Sequence, residues 1–402
     1  MKPKILILGG SPFQVPLIRR AKERGLHVIT CDYLPHNPGH RIADEYHNVS
    51  TTDKEAVLAL ASRIGIDAVT TLSSDPALQS VSYVANTLGL PGAPLSAVVQ
   101  LTEKDAFRRL MRSAGLRTPA TRVLTEADTR DLSALAAELA AGGQRHIVKP
   151  VDSCGSKGIT VLEPGADGLT VAVQLALSHS MGRRCIIEQY VDGPQIHGDG
   201  FMQGGRLVHH YLGDHVFYTR TRNRIPISTR WPCRYGDDVL ADLAAQVERV
   251  CSAAGYTDGP VNIEARVTPA GEVYVIEIAP RNGGNYVPVI QQHLTGFDFV
   301  DRLLDCALGV ATPVDTGRLH HAVGAHHILH AHRDGRFQGV RLSDDIRQKV
   351  FFMNVFKQVG DAVKEYVGSN TTIGVALLQF DSIAERDELM AATERHIVTD
   401  VV

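Results

Sequence analysis

Val261-Asn262-Ile263-Glu264-Ala265-Arg266, Thr268-Pro269-Ala270-Gly271-Glu272 and Val273-Tyr274-Val275-Ile276-Glu277-Ile278-Ala279-Pro280-Arg281 follow one another, and they decide how the chain is read. The first and third are apolar-rich strands, and the Pro- and Gly-containing piece between them is a turn, so together they predict a β-hairpin. Glu264 and Glu277 stand 13 residues apart across it, a spacing that brings both carboxylates to one face. Hard oxygen ligands of this kind suit Mg²⁺ bridging nucleotide phosphates. Arg281 offers a planar fork for phosphate or carboxylate. Asn282-Gly283-Gly284-Asn285 follows, a backbone free to approach a ligand. An acidic pair on a hairpin is common by chance. An acidic pair followed by Pro-Arg-x-Gly-Gly is not.

Two upstream segments carry related chemistry. His146-Ile147-Val148-Lys149-Pro150, Asp152-Ser153-Cys154-Gly155-Ser156-Lys157-Gly158 and Ile159-Thr160-Val161 read as a strand ending in lysine, a loop of small residues and a second strand. Small residues let backbone N–H groups approach phosphate oxygens, and lysine supplies a fixed positive charge. The segment is not a Walker A loop, since no GxxxxGK[ST] leads into a helix. Alone it is equally a glycine-rich hairpin with an exposed lysine. Cys185-Ile186-Ile187-Glu188-Gln189-Tyr190-Val191-Asp192-Gly193-Pro194 is an apolar strand ending in a carboxylate and an extended tetrapeptide. Its backbone and Glu188 match the hydrogen-bonding edge of adenine; in isolation Glu188 is equally a solvated strand end.

In this order and at these intervals the three segments resemble the ATP-grasp ligases, over a stretch from Lys4 to about Gly309. The pattern is most similar to the carboxylate–amine ligases, especially the L-amino acid ligase branch. The resemblance implies ATP and Mg²⁺ as cofactors, an acyl-phosphate intermediate, and small-molecule carboxylate and amine substrates, one of them an amino acid. It assigns Lys104 and Lys149 to the nucleotide, with Lys149 also on the catalytic side. Ser153, Gly155, Ser156 and Gly158 belong to a loop closing over the phosphates. Glu188, with Gln189, Tyr190 and Val191, faces adenine; Gln195 occupies a ribose position. Glu264 and Glu277 hold the metal, and Arg281 stabilises the acyl phosphate. Gly283, Gly284 and Asn285 touch the acyl substrate because they adjoin Arg281, with His293 and Arg220 as further candidates.

Two departures stand out. Many members read Glu-x-Asn-Pro-Arg, with that Asn on the metal, whereas here the residue is Ala279; Asn282 and Asn285 are nearby substitutes. Gln195 stands where many members carry Glu, losing a charge while keeping hydrogen bonds. They keep open a non-catalytic ATP-binding regulatory protein; within the same fold the alternative is a purine-biosynthesis-type ligase acting on a phosphorylated ribosyl amine or imidazole. Gly9-Gly10-Ser11 and Asp32 hint at a dinucleotide fold, but GxGxxG is absent, so an oxidoreductase is remote.

Strands alternating with helices over residues 1–100 predict a parallel α/β domain preceding the ATP-grasp domain, placed at 101–310, with a C-terminal lid at 311–402. The expected class is therefore α/β and α+β. Single helices are expected at 96–114, 132–141 and 237–254, and helices again over 383–396. Of 402 residues, 41 are basic and 44 acidic, a balance that supports neither a nucleic-acid stripe nor a membrane surface. The six cysteines are scattered and the N-terminus lacks a signal-peptide pattern, so a reducing cytoplasm is expected. A homodimer is common in the superfamily. Tyr218 to Arg234 carries Arg220, Arg222, Arg224, Arg230 and Arg234, any of which suits a substrate anion. His320, His321, His326, His327, His330 and His332 invite a zinc reading, but no Cys or acidic partner sits at ligand spacing, and adjacent histidines on a strand face opposite ways.

Overall fold

Four short runs near the N-terminus, β1 (Lys4–Leu8), β2 (His27–Cys31), β3 (Glu45–His47) and β4 (Ala68–Thr70), pair in parallel in the order β3-β2-β1-β4. They belong to a computed structural model that describes residues 2–165, 167–220, 225–315 and 319–402. Being apolar on both faces, β1 needs cover on each side. One side is closed by Leu17, Ile18 and Ala21 together with Val300, Leu304 and Ala307 of the helix Phe299–Leu308. The other is closed by Val57, Leu60, Ala61, Val84 and Ala85. A helix late in sequence therefore completes the core of the first sheet.

The segment expected as one helix over 96–114 is two, Leu95–Thr102 and Lys104–Ser113, with Glu103 extended between them. The side-chain pattern runs through without interruption, but the Lys104 N–H bonds the Val151 carbonyl at 3.1 Å, outside any helix. The helical stretch expected at 383–396 consists of Ile383–Ala391 and Thr393–His396. The helices Ser133–Ala141 and Asp237–Ala254 lie where the pattern places them.

Strands β5 (Thr121–Thr125), β6 (His146–Pro150), β7 (Thr160–Leu162) and β8 (Arg184–Gln189) form an antiparallel sheet in the order β5-β8-β6-β7. Further on come β9 (Gln195–Gln203), β10 (Arg206–Phe217), β11 (Pro226–Trp231), β12 (Gly259–Val267), β13 (Val273–Ala279) and β14 (Val323–Leu329). The last five are β15 (Gly335–Leu342), β16 (Val350–Val355), β17 (Ala362–Val363), β18 (Gly374–Phe380) and β19 (Ile397–Val401). Eight of these make one sheet, β13-β12-β9-β10-β11-β14-β18-β16, and three a small one, β17-β15-β19. The line drawn at residue 310 thus crosses a continuous sheet, joined where β11 pairs with β14. Among the described residues no helix is long and apolar enough to cross a membrane.

Candidate active site

The decisive hairpin is β12 and β13, and in their ladder Glu264 lies directly opposite Glu277. Both side chains therefore leave the same face. Burial, with the neighbouring Glu277 carboxylate adding to it, pushes the Glu264 carboxyl up to about 7. Two carboxylates so placed resist sharing full negative charge unless a cation joins them. Gln195 on β9 donates from Nε2 to Glu264 Oε2 at 2.6 Å, and its Oε1 accepts from Arg266 Nε and Nη2 at 3.2 Å. A neutral amide can donate to that carboxylate, whereas an ionised glutamate at 195 could not.

Another carboxylate, this one buried, has the opposite surroundings. Glu188, at the end of β8, receives Arg108 Nε at 2.6 Å on one oxygen and Lys149 Nζ at 2.8 Å on the other. Burial opposes its charge, but Arg108 and Lys149 outweigh burial and hold the carboxyl well below the usual range. Arg108 also donates to the Val275 and Ile276 carbonyls at 3.3 and 2.9 Å. It thereby ties the helix Lys104–Ser113 to β8 and β13. Sequence reading did not single out Arg108, although a buried basic residue one helical turn after Lys104 is the available signal.

Lys104 reaches the loop expected to close over phosphates: its Nζ donates to the Ser153 carbonyl at 2.8 Å. In that loop Gly155, Ser156 and Gly158 all have positive φ. A Cβ at Gly158 would come within 2.9 Å of His179 and Pro150, so only glycine fits there. One at Gly155 would meet Ser369 Oγ at 2.8 Å, which places the loop against the C-terminal part of the chain. In the segment expected beside adenine, the Gln189 and Tyr190 N–H groups donate to the Ala120 and Arg145 carbonyls, and the Val191 carbonyl accepts from Arg266.

A cavity of about 90 Å³ is lined by Lys104, Lys149, Ser156, Glu188, Gln189, Tyr190, Val191, Gln195, Glu264 and Glu277, so the structure brings these expected residues together. Two hollows of about 840 and 660 Å³ are larger. The first touches none of the charged constellation and the second reaches only Pro280 and Arg281, so size does not mark the chemistry here.

Arg281 lies beside this constellation, fixed by a bidentate pair with Asp75 of the first domain, Nε–Oδ1 2.6 Å and Nη2–Oδ2 2.7 Å. The Gly283 N–H donates to both oxygens of Asp199, at 2.7 and 3.0 Å, and its carbonyl accepts from Ser73 Oγ at 2.6 Å. A Cβ at Gly283 would lie 2.8 Å from Asn262 Nδ2. Asn285 and Tyr286 both adopt positive φ, strained for residues with side chains, while Gly284 has open space where a Cβ would be. Asn282 donates to Asp199, and its Oδ1 is buried without a partner. Asp199, His197 and Asn262 were missed as site residues. The polar alternation Gln195-x-His197-x-Asp199 on a strand was their signal.

Two expected substrate residues lie elsewhere. His293 is on the outer side of the helix Val287–Thr295, bonded to Gln379 and stacked on Phe351, because Val287, Ile290, Gln291 and Leu294 take the inward face. Arg220 is exposed and pairs with Glu394 of the last helix at 3.2 Å. Arg230 and Arg234 bond the Met390 carbonyl and Asp214, while Arg222 and Arg224 lie outside the described residues. His326 and His327 are buried and held neutral by burial. Among the described residues no three His, Cys, Asp or Glu side chains converge as a metal site.

Comparison with known proteins agrees with this geometry. The ATP-grasp domain family matches residues 144–289. The D-alanine–D-alanine ligase of Gloeobacter violaceus is 31% identical over 233 residues, which cover 55% of this chain and 74% of that enzyme. An uncharacterised protein of Sinorhizobium fredii, y4rH, is 28% identical over 275 residues, or 66% of this chain; the match spans 54% of that protein's length. The crystal structure of an L-amino acid ligase from Bacillus licheniformis superposes with a TM-score of 0.80 at 20% identity, covering 100% of this chain and 99% of that one, a likeness of fold. With a curated ligase matched over 74% of its length, and the acidic hairpin and the lysine strand lining one cleft, the chain belongs to the ATP-grasp family.

Proposed function

We propose that this chain is an ATP-dependent carboxylate–amine ligase that forms an amide bond through an acyl phosphate, with an amino acid as one substrate. The observation that carries the reading is the facing pair Glu264 and Glu277, two carboxylates on one sheet face with a charge that a divalent cation would neutralise. Their hard oxygens, and the raised carboxyl of Glu264, fit Mg²⁺. When bound, Mg²⁺ offsets charge on the phosphoryl group in transfer.

The remaining roles belong to side chains of the chain. Lys104 and Lys149 hold the phosphates, and the loop at 153–158 excludes water that would otherwise hydrolyse the acyl phosphate. Glu188 and residues 189–191 hold the adenine end. Arg281, already oriented by Asp75, presents its remaining N–H groups to the acyl phosphate. Gly283 and Gly284 let the acyl substrate approach the backbone. The acid's carboxylate oxygen takes the γ-phosphoryl group, ADP leaves, and an amine then displaces phosphate from the acyl carbon. No protein nucleophile is required. A cavity of about 90 Å³ is far smaller than a nucleotide needs, so the loop must open to admit one.

The test is phosphate release from Mg·ATP across amino acids and small carboxylic acids, offered singly and in pairs, for wild type beside Glu277→Ala. Release that depends on an acid–amine pair and disappears in Glu277→Ala supports the reading. Release only with phosphorylated ribosyl amines would replace it with the purine-type reaction. Tight ATP binding without release from any pair would replace it with a regulatory role.

A further inference from the structure

We infer that Asn262 supplies a third protein oxygen to the divalent cation held by Glu264 and Glu277. The inference rests on the ligase reading of that hairpin and adds a residue to it.

Asn262 lies on β12 two residues before Glu264, so both side chains leave the same face. Its partner on β13 is Ala279, itself two residues after Glu277. The four positions form a small square on one face: two carboxylates at one edge, an amide and a methyl group at the other. Cross-strand partners sit about 5 Å apart at Cβ, within reach of a side-chain amide. The methyl of Ala279 leaves the space above it to its neighbour.

The orientation of the Asn262 amide is fixed by its acceptors. Nδ2 lies 2.8 Å from Asp199 Oδ1, 3.0 Å from His197 Nε2 and 3.4 Å from the Gly198 carbonyl. A carboxylate and a carbonyl accept only, so the nitrogen must face them. His197 agrees: its Nδ1 lies 2.9 Å from Thr229 Oγ1, and the neutral ring that burial enforces accepts at Nε2. All three acceptors belong to β9, which flanks β12 on the side away from β13. The carbonyl oxygen of the same planar amide is therefore turned away from these acceptors, on a residue whose partner on β13 is Ala279. No described donor reaches it. It is also absent from the sealed, unpartnered buried atoms, among which Asn282 Oδ1 is found. The Asn262 oxygen is thus not sealed off without a partner, as the Asn282 oxygen is. Backbone packing keeps the amide in place, since any side chain at 283 would strike Nδ2.

Binding of Mn²⁺ with ADP, read by electron paramagnetic resonance and calorimetry, tests the assignment without any turnover. Asn262→Ala should weaken Mn²⁺ about tenfold, in line with the loss expected on removing an oriented group at a metal site. Placing the amide across the ladder, in Asn262→Ala combined with Ala279→Asn, should restore most of that loss. Asn282→Ala should leave Mn²⁺ affinity unchanged. Should Asn262→Ala fail to fold, Asn262→Thr keeps a polar group towards β9, presents no carbonyl and carries the same expectation. Wild-type affinity in both Asn262 variants, or a loss in Asn282→Ala instead, overturns the assignment while leaving the hairpin as the metal site. Undiminished binding in Glu277→Ala overturns the hairpin reading itself.

Discussion

Two carboxylate sites on different sheets, lining one cavity, have opposite electrostatics. Glu188 is enclosed by Arg108 and Lys149, two cations for one anion, and stays ionised despite burial. Glu264 faces Glu277 and takes up a proton near neutrality. The first site is balanced by the chain alone, and its charges brace helix, strand and hairpin. The second faces Arg281, Lys149 and Arg266 only at a distance, and none of them outweighs burial and the facing Glu277. On the proposed reading the second site, and not the first, is where a cation belongs, since two facing carboxylates favour a ligand that offsets their charge.

The largest expected effect comes from unbalancing the first site. Glu188→Gln leaves Arg108 and Lys149 buried with no anion between them, and breaking such a pair costs about 3–5 kcal/mol. Urea denaturation of the nucleotide-free protein should show a loss of that order. An unchanged midpoint would mean that the two cations are solvated and the comparison is empty. Glu277→Gln should do the reverse. It relieves the repulsion on Glu264, so the nucleotide-free protein should melt no lower than wild type. Meanwhile substrate-dependent phosphate release should fall about 10²–10³-fold, the scale for losing one group that stabilises transition-state charge.

The next effect is a pH dependence with opposite signs at the two sites. The Glu264 carboxyl is raised from its ordinary 4.5 to about 7. Its contribution to stability is fully present below pH 4.5 and is lost as pH rises through 7. Glu188 is held below its ordinary 4.5, so its contribution is present above that pH and lost on acidification. A cation needs the ionised form of Glu264. Mn·ADP affinity should therefore fall about tenfold per pH unit below 7, with one proton released per cation bound. Glu264→Gln should abolish the proton release, and calorimetry in buffers of different ionisation heat would measure it.

The contrast between the sites also explains what was legible beforehand. The hairpin was readable because its two strands, its turn and the facing of Glu264 and Glu277 are set within about twenty residues by a period of two. Arg108 and Glu188 are 80 residues apart, and Asp75 and Arg281 are 206 apart. No local spacing encodes either pair, so the braces between lobes appeared only with the fold. The break at Glu103 escaped for the same reason, since the competing acceptor is the distant Val151 carbonyl. His197 and Asp199 are an intermediate case. Their alternation was visible, but that their face adjoins the carboxylates depends on β9 pairing with β12.

A smaller effect tests the outer rim of the second site. Asp75→Asn keeps the size of the group that holds Arg281 but removes its charge. Arg281 would keep a hydrogen bond and lose its fixed bidentate geometry. The expectation is a several-fold fall in kcat with little change in ATP affinity, since on the proposed reading the guanidinium acts on the acyl phosphate and not on the nucleotide. A change in ATP affinity without one in kcat would instead move Arg281 to the nucleotide side.

The smallest expected effect concerns His293, a further substrate candidate in the sequence. The helix Val287–Thr295 turns its Val287, Ile290, Gln291 and Leu294 face to the sheet and carries His293 outward, against Phe351 and Gln379. Its hydrogen bond and ring contact are exposed, where such contacts contribute little. His293→Ala should therefore change KM for either substrate less than twofold and lower the melting temperature by only about 1–2 °C. A large rise in KM for one substrate, with the melting temperature unchanged, would show that the carboxylate pair is not the centre from which substrate contacts should be measured, and would move the acyl or amine site to the far side of that helix.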